Sequence, residues 1–166
     1  MIDLPRDMAI LAGLMFSNMP LERIPSLLGA LWESVSIAWL GTILAALVAI
    51  PLSFFAAENL VGRPAAWLMR QVFNVLRAIP EVILAIALIP IFGLTPMAGV
   101  LAIAIGSVGT LGKLFYEVAE AIRRGPLEAV DAVGGSLIQR FRWGGIPQVL
   151  PEYASFVLYR FGVNIR

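Results

Sequence analysis

Two stretches of this chain, Ser34–Ala57 and Val82–Gly112, contain no charged residue. All 12 basic and 11 acidic side chains lie outside them. Charges inside a bilayer core are costly, so long runs without them mark segments that cross hydrocarbon. Composition agrees, with 60% hydrophobic and 14% charged residues against about 45–50% and about 25% in soluble domains. An ordinary soluble enzyme and an intrinsically disordered chain are both excluded. The pattern predicts an all-α integral membrane protein.

A bilayer core of about 30 Å needs about 20 helical residues. Ser34–Ala57 meets this as one span, with Trp32 and Trp39 toward its first end, where interfacial aromatics are common. Pro51 falls late in the span and is expected to kink it. The second window, at 31 residues, would extend about 47 Å as one helix. It contains the breaker cluster Pro90, Gly93, Pro96 and Gly99, so a hairpin is the better reading. Its spans are predicted over about 73–92, with Arg77 and Glu81 near a membrane surface, and about 97–116. Small residues dominate the second of these, as on faces where membrane helices pack closely. From Val149 the chain turns apolar again and stops at Arg166, so a partial fourth span is expected over about 149–166.

Orientation follows from the basic residues. Arg63, Arg70 and Arg77 lie on one side of the hairpin and Lys113, Arg123, Arg124, Arg140 and Arg142 on the other. The Gly93–Pro96 turn has none, and the N-terminal 33 residues have only Arg6 and Arg23. This asymmetry places the two basic segments in the cytoplasm and the turn outside. The apolar stretch Met8–Phe16 is too short to span and lacks a small-x-small cleavage pattern, so residues 1–26 are expected to form an interfacial segment rather than a signal peptide.

Absences narrow the chemistry. With no Cys and no His, thiol nucleophiles, iron–sulfur clusters and the commonest general base are missing, and neither metal nor cofactor is expected. A net charge of +1 gives no reason to expect nucleic acid. No G-x4-G-K-[ST] phosphate loop occurs: the one lysine, Lys113, follows Gly112 but lacks the upstream Gly and the following Ser or Thr.

The segment of about 117–147 is punctuated by glycine and proline. Gly125–Pro126 is expected to start a short helix with Glu128 in its first turn, and Gly134–Gly135 to stop it. Ser136 can cap a second short helix, which Gly144–Gly145 would end before Pro147. Two short helices outside the bilayer make a knob suited to docking another subunit.

Here the sequence resembles the ATP-binding-cassette importer permeases, whose cytoplasmic EAA loop reads E-A-A-x3-G-x9-I-x-L-P. Glu128, Ala129, Gly134 and Pro147 match outright and Ile146 replaces Leu, while Val130 and Gly144 depart from the pattern. The strings Ile50–Leu60, Leu76–Ile122 and Leu150–Arg166 look like phosphonate-importer permeases in particular. In that family the last string reads L-Y-R-x-E-x-N-I-R; here Gly162 stands where Glu is usual, and a further N-terminal span and the continuation after Arg166 are lacking. Resemblance covers roughly Ile24 to Arg166.

The resemblance implies a helical bundle of the binding-protein-dependent, methionine-permease-like type, cut short relative to the family, in residues 27–166. It implies a multi-pass subunit of the bacterial cytoplasmic membrane, paired with itself or a second permease to enclose a path. ATPase subunits would bind the loop, with Glu128, Ala129, Gly134, Ile146 and Pro147 as coupling residues, and hydrolysis would belong to them. An extracytoplasmic solute-binding protein would deliver phosphonate or a related oxyanion. A different cargo, or a truncated fragment without activity of its own, stays open. Arg160 and Asn164 share a helix face at i, i+4 and are expected to line the path, whereas Arg166 points elsewhere. The competing reading pairs Arg160 with Glu152 or lets it snorkel to the headgroups.

Overall fold

The computed structural model describes residues 8, 10, 13, 24–136 and 139–166, and every regular element among them is helical. The segment expected to lie at the interface, residues 1–26, falls almost wholly outside the described residues. The chain divides into two compact units at Ser34, and the site described below lies in the second, Val35–Arg166. Within the first unit the described residues from Ile24 onward are helical, and the Ser34 hydroxyl donates to Ala30 O at 3.0 Å.

Helix α1 runs Ile24–Ala56 with Pro51 inside it. A short α2, Glu58–Val61, leads into α3, Arg63–Ala78, and α4, Glu81–Phe92. The long α5 covers Pro96–Glu120, α6 covers Arg124–Ala132, and a π-helical turn over Arg140–Gly145 feeds α7, Ile146–Asn164. Helices α1 and α5 are each long and apolar enough to cross a membrane, and α3 with α4 would make a third span if the pair is taken together.

Two segments differ in detail from the expected spans. The span predicted over 73–92 is not one helix: α3 and α4 meet at 82° across Ile79–Pro80. Proline disfavours helical conformation in the residue before it, and Ile79 is accordingly extended, at φ −90° and ψ 117°. The partial span expected over 149–166 begins earlier, at Ile146, and α7 is not among the helices that are apolar enough by themselves. The hairpin turn is where glycine and proline placed it. Gly93 adopts φ +72°, a conformation that favours glycine, and Pro96 opens α5.

Small residues decide how the helices meet. The buried stripe of α1 is Ala38, Thr42, Ala45, Ala49, Ser53 and Ala56, spaced by threes and fours so that it shares one helix face. A Cβ on Gly41 would sit 2.7 Å from Ile103 Cγ2 of α5, and one on Gly109 would sit 2.8 Å from the backbone oxygen of Phe73 in α3. Lipid tails are as apolar as leucine, so membrane helices associate through close van der Waals contact and hydrogen bonds. Phe73, Leu111 and Phe115 fill what the small residues leave, with Tyr153 of α7 stacked on Phe115 at 4.2 Å and donating its hydroxyl to Phe115 O at 3.0 Å.

At one end of the bundle, Arg70 ties the helices together. Its Nη2 meets Glu120 Oε1 at 2.5 Å, its Nη1 meets Glu58 at 3.3 Å, and its Nε donates to Ala56 O at 3.0 Å. The guanidinium also lies 4.6 Å from the Tyr116 ring centroid. The end of α1, the start of α2 and the end of α5 are thereby fixed beside the loop that carries the sequence motif.

Candidate functional site

Four helices contribute polar side chains to one cluster. Arg160 of α7 pairs with Glu81 at the start of α4 and donates from Nε to Ser107 Oγ of α5 at 3.0 Å. One turn further along α7, Asn164 Nδ2 donates to the same Ser107 Oγ at 3.1 Å and to Thr42 Oγ1 of α1 at 2.9 Å. Thr42 in turn donates to Ala38 O at 2.7 Å. Ser107 and Thr42 are fully buried, and the Arg160 and Glu81 side chains are 14% and 34% exposed.

The depth of this cluster is its main property. Ser107 stands near the middle of the 25-residue α5. An ion pair there is expensive to desolvate and persists only when both charges are compensated. The break at Ile79–Pro80 is what brings Glu81 to that level, and Gly106 makes room for it: a Cβ on Gly106 would lie 2.6 Å from Glu81 Cγ. One buried atom of the cluster, Asn164 Oδ1, lacks a partner among the described residues.

The sequence expectations for α7 divide here. Arg160 and Asn164 do share a face, and both reach Ser107, while Arg166 is exposed at the chain end. Arg160 takes Glu81 as its partner rather than Glu152, which is exposed. The sequence places Glu81 near a membrane surface because it borders a charge-free window. The one signal the sequence gives is that Glu81 stands alone as an acid between Glu58 and Glu117, with Arg77 rather than Arg160 as its nearest basic residue. Ser107 and Thr42 carry no such signal, because serine and threonine are unremarkable in apolar helices.

The loop motif forms a second feature. Helix α6 begins at Arg124, so Glu128 is its fifth residue, past the first turn in which a dipole contact was expected. Glu128 is exposed, without an ion pair or hydrogen bond among the described residues, and Ala129 is exposed beside it. The helix ends in a Schellman motif: Gly134 N–H donates to Asp131 O and Gly135 N–H to Val130 O, both at 3.0 Å. Gly134 has φ +73°, and a Cβ there would meet nothing within 4 Å. Its role is conformational, and close approach belongs to Gly135 and Gly144. A Cβ on Gly144 would lie 3.0 Å from Pro126 O and from Leu127 Cδ2. The motif departure at Gly144 thus seats α6 directly against the π turn.

Ser136 and Gln139 cap each other, with Ser136 N–H donating to Gln139 Oε1 at 2.8 Å and Gln139 N–H to Ser136 Oγ at 3.4 Å. Gly144–Gly145 does not end the second helix as expected. The π turn over these glycines runs straight into α7, where Ile146 and Pro147 are the exposed first residues. Gln148, absent from the sequence reading, closes the joint: it accepts from Arg123 N–H at 3.0 Å and donates to Arg123 O and Gly144 O. An open cavity of about 840 Å³ lies alongside, lined by Phe54, Asn59, Leu60, Leu127, Arg140 and Ile146 among others.

A bent helix pair beside a polar mid-helix cluster, with an exposed glycine-bracketed loop between α5 and α7, makes this an all-helical membrane domain. Residues 49–166 match the family described as binding-protein-dependent transport system inner membrane component, and the chain belongs to that family. It is 39% identical over 135 residues to the phosphate-import permease protein PhnE of Mycolicibacterium smegmatis, covering 81% of this chain and 25% of that protein. It is 33% identical over 135 residues to the phosphite transport system permease protein PtxC of Stutzerimonas stutzeri, covering 81% and 49%. The chain thus spans half or less of these relatives' length. Among solved structures, an inward-facing conformation of the MetNI methionine ABC transporter superposes with a TM-score of 0.77 at 16% identity, covering 89% of this chain and 73% of that one. The fold is that of importer permeases, as the motif implied.

Proposed function

We propose that this chain is the membrane permease subunit of an ATP-driven importer of phosphorus oxyanions (phosphonate, phosphite or phosphate) in a bacterial cytoplasmic membrane. The observation that carries the reading is the match of residues 49–166 to the importer family. The names of the relatives supply the cargo class, one a phosphate-import and one a phosphite permease.

On this reading ATPase subunits seat against the exposed face of α6, with Glu128 as a polar contact and Ala129, Ile146 and Pro147 around it. Hydrolysis belongs to those subunits. An external binding protein presents the anion, and a second permease copy or a paired permease completes the path. Coupling runs through the joint at Gln148, which fastens the α5–α6 connection to the base of α7. From Gln148 to Arg160 is twelve residues of one helix, about 18 Å at about 1.5 Å per residue. Displacement of α6 by a closing ATPase therefore reaches the polar cluster along one continuous helix that contains Pro151, and the ATP-bound and free states select different arrangements of it.

The test is uptake into proteoliposomes holding the protein with its ATPase and binding protein. ATP-dependent accumulation of labelled phosphonate, phosphite or phosphate is expected, each competing with the others. Accumulation of methionine with none of the three would refute the cargo class, and no ATP-dependent uptake of any solute would refute the permease role.

A further inference from the structure

The polar cluster holds an ion pair that is only half used. Arg160 meets Glu81 through one carboxylate oxygen and Ser107 through Nε, leaving Nη1 without a partner among the described residues. A guanidinium is a fork suited to two oxygens of one anion, and two-pronged contact is both stronger and more selective than a single bond. Beside it, Asn164 Oδ1 is a buried acceptor that no donor reaches. Both side chains rest on the same Ser107 hydroxyl, Arg160 through Nε at 3.0 Å and Asn164 through Nδ2 at 3.1 Å, which puts the guanidinium and the Asn164 amide in one cluster. Native proteins seldom leave a buried polar atom unpaired, and such an atom calls for a missing ligand or water.

We propose that Glu81 is a built-in competitor for the transported anion: its carboxylate occupies Arg160 when the path is empty and yields to a phosphorus oxyanion that carries one P–OH group. The incoming anion places two oxygens on the Arg160 fork and donates its P–OH hydrogen to Asn164 Oδ1. A carboxylate can supply neither the second oxygen in its present pose nor the hydrogen. Sulfate supplies the oxygens but, fully ionised at neutral pH, has no hydroxyl to give. Glu81 thereby keeps Arg160 neutralised in the empty path, where an unpaired guanidinium would be costly, and sets a threshold that favours hydroxylated phosphorus anions. The assignment rests on the permease reading but is tested apart from transport.

The experiment uses the full chain in nanodiscs and follows its melting temperature during titration with methylphosphonate, phosphate, sulfate and chloride at matched ionic strength. Glu81→Gln should melt below wild type, and methylphosphonate or phosphate should restore most of that loss at concentrations at least tenfold below any effect on wild type. Sulfate should restore little, chloride nothing, and the double variant Glu81→Gln, Arg160→Gln should respond to none of them. Where Glu81→Gln does not fold, Glu81→Asp retains the charge with a shorter reach and should show the same order of anions with smaller shifts. Rescue by sulfate equal to methylphosphonate, or no rescue by any anion, overturns the proposal. Uptake by the wild-type assembly is a separate measurement, so loss of this proposal leaves the permease reading standing or falling on its own result.

Discussion

Alanine at Gly109 is the smallest change that tests how the bundle is held. Its Cβ would lie 2.8 Å from Phe73 O, 2.9 Å from Arg77 N and 2.9 Å from Arg77 Cγ. Two of these three are backbone atoms of α3, so no rotamer change relieves the contact and α3 itself must move away from α5. Overpacking of this kind costs about 1–3 kcal/mol, and the gain of alanine over glycine in a helix returns about 1 kcal/mol. The net expectation is a loss of about 0–2 kcal/mol. Gly162 is the internal reference, because it is helical and a Cβ there meets nothing within 4 Å. Gly162→Ala should gain about 0.5–1 kcal/mol, which sets the two variants about 2 kcal/mol apart. Reversible unfolding in mixed micelles, read by circular dichroism, measures both. A Gly109→Ala variant as stable as Gly162→Ala would refute the claim that glycine in α5 is there for contact with α3.

Two further outcomes follow from named geometry. With no native cysteine to interfere, Thr95→Cys should react with an impermeant thiol reagent on intact cells and Arg63→Cys should not; the reverse pattern would overturn the orientation argued from the basic residues. Gly134→Leu places a side chain at φ +73°, where strain of about 1–2 kcal/mol is expected. Amide exchange should then rise across 130–136 while membrane insertion is unchanged, and protection equal to wild type would contradict the Schellman role.

Much of the bundle was legible because membranes enforce simple rules. The charge-free windows marked α1 and α5, and the Gly93–Pro96 turn fell where a positive φ and a missing N–H require it. The break between α3 and α4 is not legible in the sequence, because Arg77 and Glu81 read together as the border of a span. Nothing local shows that a carboxylate at a helix start will be carried to the middle of the bundle; that depends on Gly106, 25 positions later, leaving room for it. Arg160 and Asn164 were legible as a pair from their spacing. Their shared partner Ser107 was not, since one hydroxyl in an Ala- and Gly-rich helix looks like any other. The loop residues stood out by spacing, whereas the clasp by Gln148 depends on a fold-back that spacing does not encode.

The central claim is that the α6 loop is the surface on which an ATPase subunit seats. Cysteine cross-linking tests it most directly, with Ala129→Cys introduced into a chain that has no other thiol and the importer assembled in its membrane. The account predicts a short bismaleimide bridge between position 129 and a cysteine on the ATPase, formed in high yield and absent for Thr95→Cys. A bridge to the ATPase from position 95 and none from position 129 would contradict it.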